Sequence, residues 1–176
     1  MIDFSRNYFD LFGLPMRYRF DGAALDAAYR SLQREVHPDR FASAGDAERR
    51  LAMQSSARIN EAYRALKDPV ARARYLLALH GAGVDDEKDT ALSAEFLERQ
   101  LERREAVSDA LAARDARALA ALRASVDDET ARGEQRVATL LDGDGDWNAA
   151  RTAVRELTFL AKLAADIDAM QAELDG

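Results

Sequence analysis

Apolar side chains recur along this chain at steps of three and four, the period of an amphipathic helix, and no stretch shows the alternation of a half-buried strand. Tyr8, Phe9, Leu11 and Phe12 crowd a short first segment. Asp3 or Ser5 is its expected N-cap, and Gly13-Leu14-Pro15 its stop. Asp21 is placed to cap a second helix whose stripe is Leu25, Tyr29, Leu32 and Val36. After the small loop of residues 42–45, Asp46 is the expected cap of a third helix, with Leu51, Ser55, Ile59, Ala62 and Leu66 on one face. Asp68-Pro69 then reads as a cap followed by proline at the first helical position, opening a helix that runs to His80.

Gly81-Ala82-Gly83 and the acidic residues after it mark a break, which divides the chain into residues 1–80, a linker at 81–91, and residues 92–176. The last part predicts three more helices. The first runs from about Ser93 to Ala113. The second starts near Asp115 with the stripe Leu119, Leu122, Val126, Thr130, Gly133, Val137 and Leu140. A turn around Gly143 and Gly145 leads into the third, with Trp147, Ala150, Val154, Leu157, Leu160, Ala164, Ile167 and Leu174. Three amphipathic helices joined by short connections imply an antiparallel three-helix bundle. The fold class is therefore all-α.

Composition narrows the chemistry. The chain has no cysteine, which removes disulfides and thiolate metal sites, and its two histidines, His37 and His80, are far apart in sequence. No metal and no cofactor is expected, and His80 reads as a surface or boundary residue. The net charge of −7 is uneven: residues 1–80 carry 13 basic and 10 acidic side chains, residues 92–176 carry 11 and 18. The two parts should have different partners, and the acidic second part is unsuited to nucleic acid. The N-terminal sequence holds no apolar segment of signal or membrane-spanning length, so a cytoplasmic location is expected.

Chemistry concentrates at His37-Pro38-Asp39. Pro38 lacks a backbone N–H and drives the residue before it out of the helical region, so the second helix must stop here. An imidazole and a carboxylate are then held close together on a stiffened turn. Arg30 and Arg34, four residues apart, share a second face of the preceding helix, and Arg40 follows the turn. By themselves these arginines describe a solvated face, and His37 with Asp39 could form an acid–base pair only if further polar groups converged on a pocket.

The order Tyr8-Phe9-Asp10-Leu11-Phe12-Gly13-Leu14, then Arg34-Glu35-Val36-His37-Pro38-Asp39-Arg40-Phe41, then Ile59-Asn60-Glu61-Ala62-Tyr63-Arg64-Ala65-Leu66 with Asp68-Pro69 and Arg72-Ala73-Arg74-Tyr75-Leu76-Leu77 resembles a J domain. That is the module by which DnaJ-type co-chaperones engage DnaK-type chaperone ATPases. The resemblance implies a helical hairpin with the His-Pro-Asp loop at its tip. It also implies that Arg30, Arg34 and Arg40 approach an acidic surface of the ATPase beside His37, Pro38 and Asp39.

In the second part the informative residues lie off the stripes. On the helix from Ser93, a rotation of about 100° per residue puts Leu92, Phe96, Val107 and Leu111 toward the bundle. Leu97 and Leu101 point away, beside the acidic row Glu98, Glu102, Glu105 and Asp109. Phe159 falls almost opposite the core stripe of the last helix. These residues are either scattered surface apolars or a binding patch with an acidic rim. Glu95-Phe96-Leu97, Gln100-Leu101-Glu102 and Leu157-Thr158-Phe159-Leu160, following a J-type region, are similar to the HscB family of co-chaperones in iron–sulfur cluster biogenesis. This resemblance spans essentially the whole chain. It implies a non-enzymatic protein; outward Leu and Phe could pair two copies, but repulsion along the acidic row makes a monomer the expectation. Its bundle would bind an IscU-type iron–sulfur scaffold protein through Leu97, Leu101, Glu102, Glu105, Asp109 and Phe159. Its J domain would deliver that client to an HscA/DnaK-type chaperone and stimulate the ATPase. Glu98 stands where the family often has an apolar residue.

Overall fold

The computed structural model describes residues 3–41, 44–85 and 92–175, which are helical with no strand among them. The elements are α1 (Tyr8–Phe12), α2 (Gly22–Val36), a single 3-10 turn (Pro38–Phe41), α3 (Asp46–Lys67), α4 (Pro69–Leu79), α5 (Ala94–Ala112), α6 (Ala116–Thr139), a π-type turn (Leu140–Asp144) and α7 (Trp147–Asp175). They form two compact units, residues 1–76 and 77–176, so the divide falls within α4, ahead of the glycine-rich break. Of the expected loop at 42–45 and linker at 81–91, residues 42–43 and 86–91 lie outside the described residues.

In the first unit α2 and α3 form an antiparallel hairpin. The Asp21 side chain accepts from the Ala23 N–H and starts α2 as the sequence implied. Two expected caps are displaced. α1 is capped by Asn7, whose Oδ1 accepts from the Asp10 N–H, while Asp3 instead holds Ser5 in a local turn. α3 is preceded by Gly45, and Asp46 sits one residue inside the helix, paired with Arg49 at 2.5 Å. A carboxylate in the first turn still meets the positive end of the helix dipole, so either placement suits Asp46 electrostatically. The core is made by Phe9, Phe12, Leu25, Val36, Ile59, Ala62, Leu66, Ala73 and Leu76, all buried. Tyr8 and Tyr75 stack with centroids 4.2 Å apart, and the Tyr75 hydroxyl accepts from the Tyr8 N–H.

One flank of the hairpin is closed by polar and aromatic pairs instead of core side chains. Asp26 accepts from the Tyr63 hydroxyl at 2.9 Å and from Lys67 Nζ at 2.7 Å. Tyr29 stacks on Tyr63 at 4.1 Å, and Asn60 Oδ1 accepts from both Tyr29 Oη and Gln33 Nε2. These side chains lock the register of the two helices and direct the turn between them.

In the second unit α6 and α7 run antiparallel, as the pairs Arg123–Asp168 and Arg136–Glu156 show. Val126, Val137, Ala150, Val154, Leu157, Leu160, Leu163 and Ile167 fill the seam. Each fully buried aliphatic side chain contributes about 1.5–3 kcal/mol. Gly133 allows close packing here: a Cβ at that position would lie 2.6 Å from Leu157 Cδ2, so the Leu157 side chain would have to shift. α5 completes the three-helix bundle. Ser93 caps it by accepting from the Phe96 N–H, and Asp115 caps α6 by accepting from the Ala118 N–H. Gly145, with φ of 64°, closes the turn before Trp147, whose ring stacks on His80 at 4.1 Å.

Candidate interaction surfaces

Helix α2 ends at Val36, and His37 adopts φ −57° and ψ 131°, the extended conformation that the following proline favours. The chain then makes the Pro38–Phe41 turn, closed by the Arg40 N–H donating to the His37 carbonyl at 3.0 Å. The Arg40 guanidinium reaches back to the Arg34 carbonyl at 3.4 Å, covering one of the unpaired carbonyls at the helix end. Within the turn the Asp39 N–H donates to His37 Nδ1 at 3.3 Å, while Asp39 Oδ2 lies 3.5 Å from the same nitrogen. Nδ1 cannot accept and donate at once. The hydrogen bond from the Asp39 N–H uses the Nδ1 lone pair, which orients the ring within the turn.

Both side chains are open to solvent, His37 at 58% and Asp39 at 90%. A cavity of about 500 Å³ is lined by Leu32, Glu35, Val36, Arg40, Glu48 and Leu51 among others, but not by His37 or Asp39. The geometry is that of a projecting polar tip. Arg30 and Arg34 are exposed on the outer face of α2, and Arg40 stands exposed within the turn. Arg34, Arg40 and the tripeptide thus lie at one end of the hairpin, with Arg30 about two turns back along α2.

On the bundle, Leu97 and Leu101 are 47% and 61% exposed, as their helical phase implied. Glu98, Glu102, Glu105 and Asp109 are exposed beside them, without ion-pair partners among the described residues. Phe159 departs from expectation. It is half-buried, edge-on to the fully buried Phe96 ring at 5.7 Å and 83°, with the Arg104 guanidinium 5.4 Å from its centroid. Phase counting placed it opposite the α7 stripe, but α5 covers part of that side. Phe159 thus supports α5 from behind while keeping part of its ring accessible.

Two regions of the chain match family models. Residues 7–75 match the DnaJ domain, and residues 92–168 match the HSCB C-terminal oligomerisation domain. The co-chaperone protein HscB homolog of Burkholderia multivorans is 49% identical over 175 residues, covering 99% of both chains, and that of Burkholderia cenocepacia is 48% identical over the same span. This chain belongs to the HscB family of J-domain co-chaperones. The fold agrees: chaperone HscB from Vibrio cholerae superposes with a TM-score of 0.85 at 36% identity, covering 96% of this chain and 99% of that one. Human co-chaperone protein HscB gives a TM-score of 0.88 at 26% identity, covering 95% and 83%.

Within this HscB-family bundle lies a group that periodicity alone did not reveal. Gln100 is 2% exposed, on the buried side of α5. Its Oε1 accepts from Arg103 Nη1 at 2.9 Å, and Arg103 Nη2 donates to Glu129 Oε2 of α6 at 2.7 Å. Arg99 comes within 4.0 Å of the other Glu129 oxygen and pairs with Glu95 at 2.8 Å. The helix that carries the exposed leucines is therefore fastened to α6 partly through charge. The available signal was Arg99 and Arg103 at i,i+4 on a helix otherwise rimmed by acids, but a single helix does not show that its basic residues face a carboxylate on another.

Among the described residues no helix is long and apolar enough to cross a membrane, and no group of three or more His, Asp or Glu side chains is placed to hold a metal ion.

Proposed function

We propose that this co-chaperone serves iron–sulfur cluster biogenesis as a two-ended adaptor. The first unit presents His37, Pro38 and Asp39 to an HscA/DnaK-type chaperone ATPase and stimulates hydrolysis. The second binds an IscU-type scaffold protein. What supports the first half most directly is the exposure of the His37 and Asp39 side chains on a turn whose backbone is fixed by internal hydrogen bonds. Such a tip meets a partner with little ordering cost. Arg30, Arg34 and Arg40 add a basic flank that steers approach to an acidic surface. A co-chaperone that binds the hydrolysis-competent state of the chaperone more tightly shifts its population by that difference in affinity.

For the second half, Leu97 and Leu101 supply the apolar contact, Glu102, Glu105 and Asp109 the charged rim, and Phe159 the part-covered base. The protein has no catalytic site of its own in this reading, and acts as a monomer because the acidic row opposes a symmetric contact. Sedimentation over a range of concentrations tests the last point, and a stable dimer would overturn it.

The deciding experiment is single-turnover ATP hydrolysis by the HscA/DnaK-type chaperone with wild type, His37→Gln, and wild type plus scaffold protein. Stimulation by wild type, its loss in His37→Gln, and more-than-additive stimulation with the scaffold are expected, because one adaptor raises the effective concentration of client at the chaperone. Full stimulation by His37→Gln would refute the role of the turn. Purely additive rates would refute delivery.

A further inference from the structure

Resting on the reading that the hairpin docks on a chaperone ATPase, we propose that Met53 of α3 is an apolar contact of that docking face. The partner surface would then combine acidic groups with an apolar depression, and the interface would extend across both helices of the hairpin.

Met53 is 66% exposed, the most exposed large apolar side chain among the described residues. A single exposed apolar residue is ordinary. Its position is what matters here. Asn60, seven residues further along α3, accepts from Tyr29 and Gln33 of α2, which fixes the flank that α3 turns toward that side of the hairpin. Seven residues at about 100° each return within about 20° of the same direction, and carry Met53 about 10 Å toward the turn. Because the helices are antiparallel, this brings Met53 level with the end of α2 and with His37. By the same count Arg30, on α2, lies on the matching flank.

The neighbouring polar groups are already engaged with one another. Asn60 Oδ1 holds two donors, Gln33 bonds Asn60 through Nε2 and Ser56 through Oε1, and the Tyr63 hydroxyl and Lys67 are held by Asp26. Arg30, Arg34 and Met53 remain turned outward on this face. Their combination selects the occupant. Arginines favour a carboxylate-bearing surface, and the unbranched, polarizable Met side chain adapts to an apolar hollow between the carboxylates. The face is continuous with the His37-Pro38-Asp39 tip, so one partner reaches both.

The test is the dependence of chaperone ATPase rate on co-chaperone concentration for wild type, Met53→Gln, Met53→Leu and His37→Gln. Gln preserves length and adds no charge; Leu preserves the apolar surface. Met53→Gln is expected to raise the concentration for half-maximal stimulation about tenfold with the maximal rate unchanged. Met53→Leu should stay within twofold of wild type, and thermal unfolding of both should match wild type because the side chain is exposed. A Met53→Gln curve within threefold of wild type would overturn the proposal, as would equal loss in Met53→Leu. His37→Gln separates the two readings: its loss of stimulation beside an unaffected Met53→Gln leaves the docking tip standing and removes only Met53. No stimulation by wild type would remove the reading on which both depend.

Discussion

The bridge from Arg103 to Glu129 is the most informative place to perturb the bundle, because it fastens the helix that carries Leu97 and Leu101. Arg103 and Glu129 side chains are 13% and 17% exposed and meet at 2.7 Å. Arg103 also supplies the hydrogen bond to Gln100, whose Nε2 has none among the described residues. Hydrogen bonds to charged groups contribute about 1.5–3 kcal/mol, and stranding a buried charge costs more than the bond itself. In Arg103→Met, among the described residues, Glu129 keeps only Arg99 at 4.0 Å and the Gln100 side chain loses its one bonded partner. Incomplete burial reduces the penalty, so a loss of about 2–3 kcal/mol is expected. Glu129→Met leaves Arg103 bonded to Gln100 and should cost about 1.5–2 kcal/mol. The double variant should lose little more than Arg103→Met alone, giving a coupling of about 1.5 kcal/mol.

Urea unfolding followed by the fluorescence of Trp147 is the assay, since this is the single tryptophan and it lies in the bundle. Singles within 0.5 kcal/mol of wild type (roughly the spread of neutral surface changes), or a double equal to the sum of the singles, would refute the account of α5 as charge-fastened.

Other expectations follow from single contacts. Phe159→Ala should destabilise by about 1–3 kcal/mol through lost burial and the edge contact with Phe96. Leu97→Ala/Leu101→Ala should leave thermal stability nearly unchanged but weaken scaffold binding by calorimetry; the reverse pattern would refute the division between support and contact. Gly133→Ala gains about 1 kcal/mol of helix propensity but forces Leu157 aside in a closed seam, for a net loss of about 1–2 kcal/mol by denaturant titration; a more stable variant would show that the seam can relax. The hydrogen bond from Lys67, then that from Tyr63, hold the Asp26 carboxyl below its ordinary value of 3.8. A depressed carboxyl stabilises the fold above the unfolded value and loses that contribution as pH falls through the folded one. Asp26→Asn should therefore flatten the stability profile below about pH 4, and an unchanged acid limb in urea unfolding at stepped pH would contradict this.

Much of this protein is legible in one dimension, because its contacts are organised by helical period. The stripes of α2, α3, α6 and α7, the stop imposed by Pro38, the Asp21 cap, the helix starts near Ser93 and Asp115, and the Asp68-Pro69 restart each depend on residues within about four positions of one another. So does the outward phase of Leu97 and Leu101, which a straight helix fixes once its core face is known. The motif order likewise carries the family, since His37-Pro38-Asp39 is local and its neighbours fall at characteristic distances. Caps proved the least secure local feature: at α1 several polar side chains near the helix start compete for the same donors and Asn7 displaces Asp3 and Ser5, while α3 follows Gly45 with no side-chain cap at all.

Only tertiary structure decided what depends on a second helix. Phe159 is off its own stripe, yet half-covered, because α5 lies against that side of α7. Arg103 reads as one more surface charge until Glu129 of α6 is brought to 2.7 Å. Asn60 and Met53 are polar and apolar residues on one flank of α3, and only the pairing of Asn60 with α2 shows which way that flank faces. A helix constrains its neighbours through a repeat of 3.6 residues, which a sequence displays. The rotation of one helix about its axis against another is set by the sum of many side-chain contacts, which no single stretch of the chain contains.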